Sequence, residues 1–148
     1  MKIAKSGSGE RMKNKIMIVD DEEYIRVLYA DELNEEGYQV VTMATGFNLI
    51  EKIEKEDPDL VILDIRLRGY NGLDLLHDIK DRFNDLPVGI CSAYDTFRGD
   101  KKTADADFYV VRSFDLTELK NNIADSLAHC RESMGYNEPL IQKGKHKK

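Results

Sequence analysis

Ile16-Met17-Ile18-Val19-Asp20-Asp21-Glu22-Glu23 sets a pattern that the rest of the chain repeats. An apolar run this short, rich in β-branched residues and without alternation, reads as a strand buried on both faces. The acids that follow at once read as the start of a helix. The same junction recurs where Leu60-Val61-Ile62-Leu63 closes on Asp64, where Pro87-Val88-Gly89-Ile90-Cys91 closes on Ser92, and where Phe108-Tyr109-Val110-Val111 closes on Arg112. Val40-Val41 supply a shorter fifth strand. Between the strands, Ile25, Leu28, Tyr29 and Leu33 fall at helical spacing and end at Gly37, a residue suited to a helix C-terminus. Thr45-Gly46 opens a second helix, with Leu49, Ile50 and Ile53 as its apolar stripe and Asp57-Pro58 as its stop. Leu73, Leu76, Ile79 and Phe83 predict a third. Residues 95–104 are polar and poorly periodic, at most a weak helix. Asp115 with Glu118 forms a capping-box-like start to a last helix carrying Leu116, Leu119, Ile123 and Leu127, and the period is lost from Arg131.

Continuous apolar strands alternating with helices predict an α/β fold: a doubly wound, five-stranded parallel sheet with helices on both faces and right-handed crossovers. Sites in such folds lie beyond the carboxyl ends of the strands, where the strand order reverses. The residues that close the strands are therefore the candidates.

A chain of 148 residues and 17.0 kDa suits one such domain. We expect a leader or unstructured N-terminus over 1–14, where Ser6-Gly7-Ser8-Gly9 has linker composition, a folded domain over 15–130, and a polar, basic tail over 131–148. No apolar run approaches the ~20 residues that span a bilayer, and the polar start lacks a secretory signal, so the expected location is cytoplasmic. Cys91 and Cys130 are too few for a disulfide framework or a zinc cluster. The net charge of −6 hides an uneven distribution. Residues 1–15 carry five basic side chains against Glu10, and Lys143, Lys145, Lys147 and Lys148 crowd the other end, so the body between them stands at −14. A body this acidic repels phosphate backbones, which argues against direct binding of nucleic acid.

Read in turn, the strand ends are Asp20 and Asp21, Asp64, Ser92 and Arg112. Two unit charges ~4 Å apart repel by about 4 kcal/mol at an effective dielectric near 20, so three clustered carboxylates call for a cation. Hard oxygen donors that leave room for water and phosphate suit Mg²⁺, or Mn²⁺ in its place. A metal beside a carboxylate nucleophile points to phosphoryl transfer onto that carboxylate. Singly, each residue has a plainer reading. Asp20 and Asp21 suit a helix cap, Asp64 a loop, Tyr109 a half-buried strand, and Arg112 a surface ion pair. His77, His129 and His146 lack metal-ligand spacing and read as surface residues. Only the joint reading explains three acids, a hydroxyl and a cation at successive strand ends.

Ile18-Val19-Asp20-Asp21-Glu22, Leu63-Asp64-Ile65-Arg66-Leu67 leading to Gly72, Ser92-Ala93, and Asp107-Phe108-Tyr109 leading to Arg112-Ser113-Phe114 together resemble the receiver domain of bacterial response regulators, over residues 16–130. The likeness is greatest to single-domain, phosphorelay-type regulators, and it implies a flavodoxin-like receiver fold. It further implies that Asp64 is the phosphoacceptor, receiving a phosphoryl group from the phosphohistidine of a sensor histidine kinase or histidine phosphotransferase. Asp21 would bind the metal directly and Asp20 through water, with Asp64 and the backbone carbonyl of Arg66 as further ligands. Ser92 would hydrogen-bond the new phosphoryl group, Arg112 would supply the cation, and Ser92 with Tyr109 would form the switch. Such a protein is a phosphoacceptor in a signalling pathway rather than an enzyme, with at most slow self-catalysed phosphorylation and dephosphorylation.

Two positions depart from the family pattern. Arg112-Ser113 stands where the family has lysine and a cis proline, and Arg68 replaces a proline. Arginine keeps the charge and can grip phosphate with two nitrogens, but it is larger; a bond to Ser113 should be trans. A second reading follows, a pseudo-receiver that binds partners without phosphorylation because Arg112-Ser113 spoils the site. A dehalogenase-type phosphatase would want an aspartate where Arg66 stands. Arg66 and Tyr94 are expected to flank the mouth and shield the phosphoryl group from water. Eighteen residues follow Cys130, too few for an effector domain, so the expected output is another, unidentified protein.

Overall fold

The computed structural model describes residues 14–133, so the expected leader up to Lys13 and the tail after Ser133 lie outside the described residues. In chain order the elements are β1 (Lys15–Val19), α1 (Glu23–Glu35), β2 (Gln39–Met43), α2 (Leu49–Glu56), β3 (Leu60–Leu63), the short strands β4 (Arg66–Leu67) and β5 (Tyr70–Asn71), α3 (Gly72–Arg82), β6 (Val88–Ser92), a 3-10 helix over Lys101–Asp105, β7 (Phe108–Val111) and α4 (Thr117–Ser133). Five strands form one parallel sheet in the order β2-β1-β3-β6-β7. The chain runs outward from β1 to β2, then crosses back over β1 to β3, so the order reverses between β1 and β3.

The unbroken apolar runs are explained by what covers each face. Alternate residues of the strands point to opposite sides. Ile16, Ile18, Leu60, Ile62, Cys91, Phe108 and Val110 meet Tyr29 and Leu33 of α1 and Leu119 and Ile123 of α4. Met17, Val19, Val61, Leu63, Val88 and Ile90 meet Ile53 of α2 and Leu76 and Ile79 of α3. With both faces covered, β3 and β6 are buried along their whole length. Each such aliphatic side chain contributes roughly 1.5–3 kcal/mol by leaving water. Gly89 lies opposite Phe108 across the ladder, and a Cβ there would stand 2.0 Å from the ring of Phe108. The glycine inside a central strand thus makes room for an aromatic on its neighbour.

Several boundaries differ from the sequence expectation. The second helix begins at Leu49, not at Thr45-Gly46, because Asn48 takes a left-handed conformation (φ 57°) that helix periodicity does not report. A hairpin of β4 and β5, turning through Gly69 at φ 81°, occupies what reads as loop after Asp64. Residues 95–104 form no α-helix, and the 3-10 turn that stands there buries no residue. The last helix continues to Ser133, past the expected boundary at 130. Asn14, assigned to the leader, already belongs to the sheet edge, its carbonyl accepting from Gln39 N at 2.9 Å. Asp115 caps the last helix as expected, its Oδ1 accepting from Thr117 N at 3.0 Å.

Candidate functional site

The register fixes the acids. Val19 pairs with Leu63, so the next residues, Asp20 and Asp64, emerge side by side where the strand order reverses. Asp64 N donates to Val19 O at 3.1 Å and Asp20 N to Met43 O at 3.0 Å, prolonging both ladders by one bond. Gly72 then presses on the backbone of Asp64: a Cβ at Gly72 would lie 2.1 Å from Asp64 O and 2.6 Å from Ile65 Cα. Gly72 N donates to Ile65 O at 2.7 Å, and Asn71 caps α3 by accepting from Leu73 N at 2.8 Å. Only glycine permits this approach.

Asp20, Asp21 and Asp64 each offer an oxygen, and the three lie within 4.8 Å of one another. Asp20 is 4% exposed and Asp64 6%. Burial, the Asp20 charge next, pushes the Asp64 carboxyl up to about 6, against the pull of Arg112. Burial also raises the Asp20 carboxyl. Neither carboxylate caps α1. Asp20 Oδ1 accepts from Glu22 N at 2.9 Å, ahead of the helix, and Asp21 Oδ2 accepts from Arg68 N at 3.1 Å, in the hairpin turn. The capping reading therefore fails on geometry. Two buried acids and a half-buried third, facing one guanidinium, leave an excess of negative charge among oxygen donors. That is the donor set and charge of a Mg²⁺ site, and Asp20, Asp21 and Asp64 fit that ion.

Arg112 reaches into this cluster from the end of β7. Its backbone N donates to Ser92 O at 2.7 Å, and among the described residues no peptide bond is cis. Nη2 lies 2.5 Å from Asp20 Oδ2 and 3.3 Å from Asp64 Oδ2, while Nη1 lies 3.6 Å from Glu22 Oε1. Burial pulls its pKa down, but Asp20 and then Asp64 outweigh it and the guanidinium stays charged. Arg112 Nε is buried without a hydrogen-bond partner. The surface ion pair that the residue suits in isolation is thus replaced by a buried one.

Ser92 is fully buried, and its hydroxyl accepts from Tyr94 N at 3.1 Å. Among the described residues no hydrogen bond joins it to Asp64. Tyr109 is half-buried on the opposite side of β7 from Arg112, its hydroxyl donating to Tyr94 O with the Ser92 side chain as a second polar neighbour. Arg98 covers its ring at 4.9 Å. Arg66 and Tyr94 do meet: the guanidinium lies 4.6 Å over the Tyr94 ring and 5.8 Å from the Phe97 ring. Sequence reasoning missed Glu22, Phe97 and the Arg26 Nη1 donor to Asp20 O at 2.8 Å. Helical spacing put Arg26 one turn beyond the acids, the one signal that was present.

A parallel α/β sheet with a carboxylate metal site at its switch point defines the class. Within it, the sequence profile of the response regulator receiver domain matches residues 16–124. Sporulation initiation phosphotransferase F of Bacillus subtilis (strain 168) is 33% identical over 114 residues, covering 76% of this chain and 92% of that protein. The crystal structure of response regulator protein TrrA from Thermotoga maritima in complex with Mg(2+)-BeF is 39% identical with a TM-score of 0.74, covering 78% of this chain and 99% of that one. TrrA in complex with the histidine kinase ThkA matches at 40% identity and a TM-score of 0.73, again over 78% of this chain and 99% of that one. The chain belongs to the response regulator receiver domain family of two-component signalling proteins. Among the described residues no helix is long and apolar enough to cross a membrane.

Proposed function

We propose that Asp64 is the phosphoacceptor and that the phosphoryl group comes from a phosphohistidine in a sensor histidine kinase or histidine phosphotransferase. The Asp64 carboxylate attacks phosphorus, the P–N bond breaks, and the imidazole leaves with a proton. Asp21, Asp64 and the Arg66 carbonyl, with Asp20 through water, would hold Mg²⁺, and the bound ion would supply positive charge against the oxygens of the transferring group. The observation that carries this reading is the placement of Asp64: buried, level with Asp20, and pinned from behind by Gly72.

Ser92 and Tyr109 make the switch. The Ser92 hydroxyl turns from the Tyr94 amide toward the phosphoryl oxygens, and Tyr109, whose hydroxyl already reaches the end of β6, changes partner rather than swinging in from solvent. The downstream partner is a protein that reads the altered β6–β7 face. Exposed aromatics follow the carboxyl ends of the strands: Tyr24 in the first turn of α1, Tyr70 on β5, and Phe47, Tyr94 and Phe114 in the segments after β2, β6 and β7. Such a rim suits a protein partner better than a free small molecule. The pseudo-receiver reading is favoured by one observation, that Arg112 already occupies Asp64 Oδ2.

Incubation with acetyl phosphate and Mg²⁺, read by intact mass, tests both. One added phosphoryl group on the wild type and none on Asp64→Asn is the expected result. A wild type that gains none, from acetyl phosphate or from a phosphorylated histidine kinase, sinks the phosphoacceptor reading and leaves the interaction module.

A further inference from the structure

Arg112 does more here than a lysine at its position could. Its guanidinium makes three carboxylate contacts at once, Asp20 and Asp64 through Nη2 and Glu22 through Nη1. Both Asp20 oxygens are engaged, one by Glu22 N at 2.9 Å and the other by Arg112 at 2.5 Å. The Arg112, Asp20 and Asp64 side chains are 15%, 6% and 8% exposed, so solvent screens their interaction little. Nη2 thus lies in the space that the two acids share. A divalent ion at the ~2.0–2.1 Å contact distance of Mg²⁺ meets a fixed positive charge at that place.

The guanidinium also has somewhere to go. Nε is buried and unpartnered, so its present seat satisfies it incompletely. Glu22 is 49% exposed, and its oxygen is 3.6 Å from Nη1, longer than a hydrogen bond, so the pair has room to tighten. The backbone of Glu22 is held by Asp20 Oδ1, and its carbonyl accepts from Ile25 N and Arg26 N at the start of α1, which fixes where its side chain begins.

We propose that Arg112 is the site's built-in counter-ion, which the divalent cation shifts on binding, and that Glu22 is the seat that receives it. Glu22 is then a positioning residue: it sets metal affinity through Arg112, without being a ligand. In the metal-free protein Arg112 offsets part of the charge on Asp20 and Asp64, and with metal bound it swings outward on Nη1 and closes on Glu22. The inference rests on the carboxylates holding Mg²⁺ but not on the phosphorylation of Asp64.

The test is a double-mutant cycle on metal binding. Mg²⁺ affinity is measured by calorimetry, and Mn²⁺ affinity by electron paramagnetic resonance, for the full chain and for Glu22→Gln, Arg112→Met and the double variant. Thermal unfolding with and without chelator checks that each is folded. Arg112→Met should bind Mg²⁺ about tenfold more tightly, and Glu22→Gln alone about threefold more weakly, because the displaced guanidinium loses its seat. In the Arg112→Met background, Glu22→Gln should change affinity by less than about twofold. Equal weakening in both backgrounds means that Glu22 acts only as a nearby charge, and it overturns the proposal. So does an Arg112→Met affinity at or below that of the wild type. If Arg112→Met does not fold without metal, Arg112→Lys replaces it, since one ammonium does not span all three carboxylates; the Glu22→Gln effect should vanish there as well. A wild type that binds neither ion removes the metal site itself. A wild type that binds normally with no coupling between Glu22 and Arg112 overturns this inference alone.

Discussion

Asp20 and Asp64 are placed by backbone, whereas the side chains of Ser92, Tyr94 and Tyr109 are arranged by hydrogen bonds among these residues and by the Arg66 and Arg98 guanidinium groups over the two rings. On the acidic side, two ladder bonds and the packing of Gly72 on the Asp64 carbonyl leave the carboxylates little latitude. On the hydroxyl side, residues 93–107 connect β6 to β7 with a 3-10 turn that buries nothing, tied by exposed pairs such as Arg98 with Asp95 and Lys102 with Asp74. Exposed pairs of this kind contribute about 0–1 kcal/mol. The difference separates the two sides by latitude: the acidic side is held rigidly, and the loosely tied side is the one that can move.

The contrast is most severely tested at Gly72. Gly72→Ala forces a Cβ into Asp64 O and Ile65 Cα, neither of which can yield without moving the acid. We expect a loss of about 3 kcal/mol or more in urea unfolding. A loss below about 1 kcal/mol would show that the acidic side is not rigid.

Next in size is the effect of pH on the metal-free protein. Folding raises the Asp64 pKa from its usual 3.8 to about 6, so between these values the folded state holds a proton that the unfolded state has released. Stability contributed by this group is therefore full below pH 3.8 and falls as pH rises toward 6, by on the order of 2 kcal/mol. Burial shifts Asp20 in the same direction. Melting temperature in chelator should decline across pH 4 to 7, and saturating Mg²⁺ should remove the decline by favouring ionised carboxylates. A melting temperature that rises over that range in chelator would contradict the geometry of the acids.

The smallest expected effect lies where the two sides meet, at Arg66 over Tyr94. If this stack shields the phosphoryl group from water, replacing both residues with alanine speeds dephosphorylation about three- to tenfold, the equivalent of ~1 kcal/mol. An unchanged rate of phosphoryl loss, followed by intact mass, would leave the stack as packing only.

The acids were legible in the sequence because each directly follows an apolar strand, so local order and the rule for α/β sites suffice to bring them together. Ser92 and Arg112 were legible for the same reason. What they touch was not. The bond from Arg112 to Asp20 joins residues 92 apart, and its geometry depends on how far a long side chain reaches. Glu22 looked like part of an acidic helix start, and nothing local distinguishes it from Glu23. The late start of α2 and the hairpin after Asp64 turn on single left-handed residues, Asn48 and Gly69, to which hydrophobic periodicity is blind. Residues 95–104 gave a true negative signal: too polar to cover a sheet face, they do not form an α-helix.

Arg112 hangs from β7, and among the described residues β7 is an edge strand with β6 as its one neighbour in the sheet. The other edge, β2, carries half-exposed residues, and its bond to the acids is one of backbone, Met43 O accepting from Asp20 N at 3.0 Å. Fraying at β2 exposes modest apolar surface. Fraying at β7 withdraws the guanidinium and leaves Asp20 and Asp64 facing one another across the switch point. The electrostatics of the centre therefore acts as a latch on the periphery, and the edge strand of the sheet is fastened by the acids that close β1 and β3.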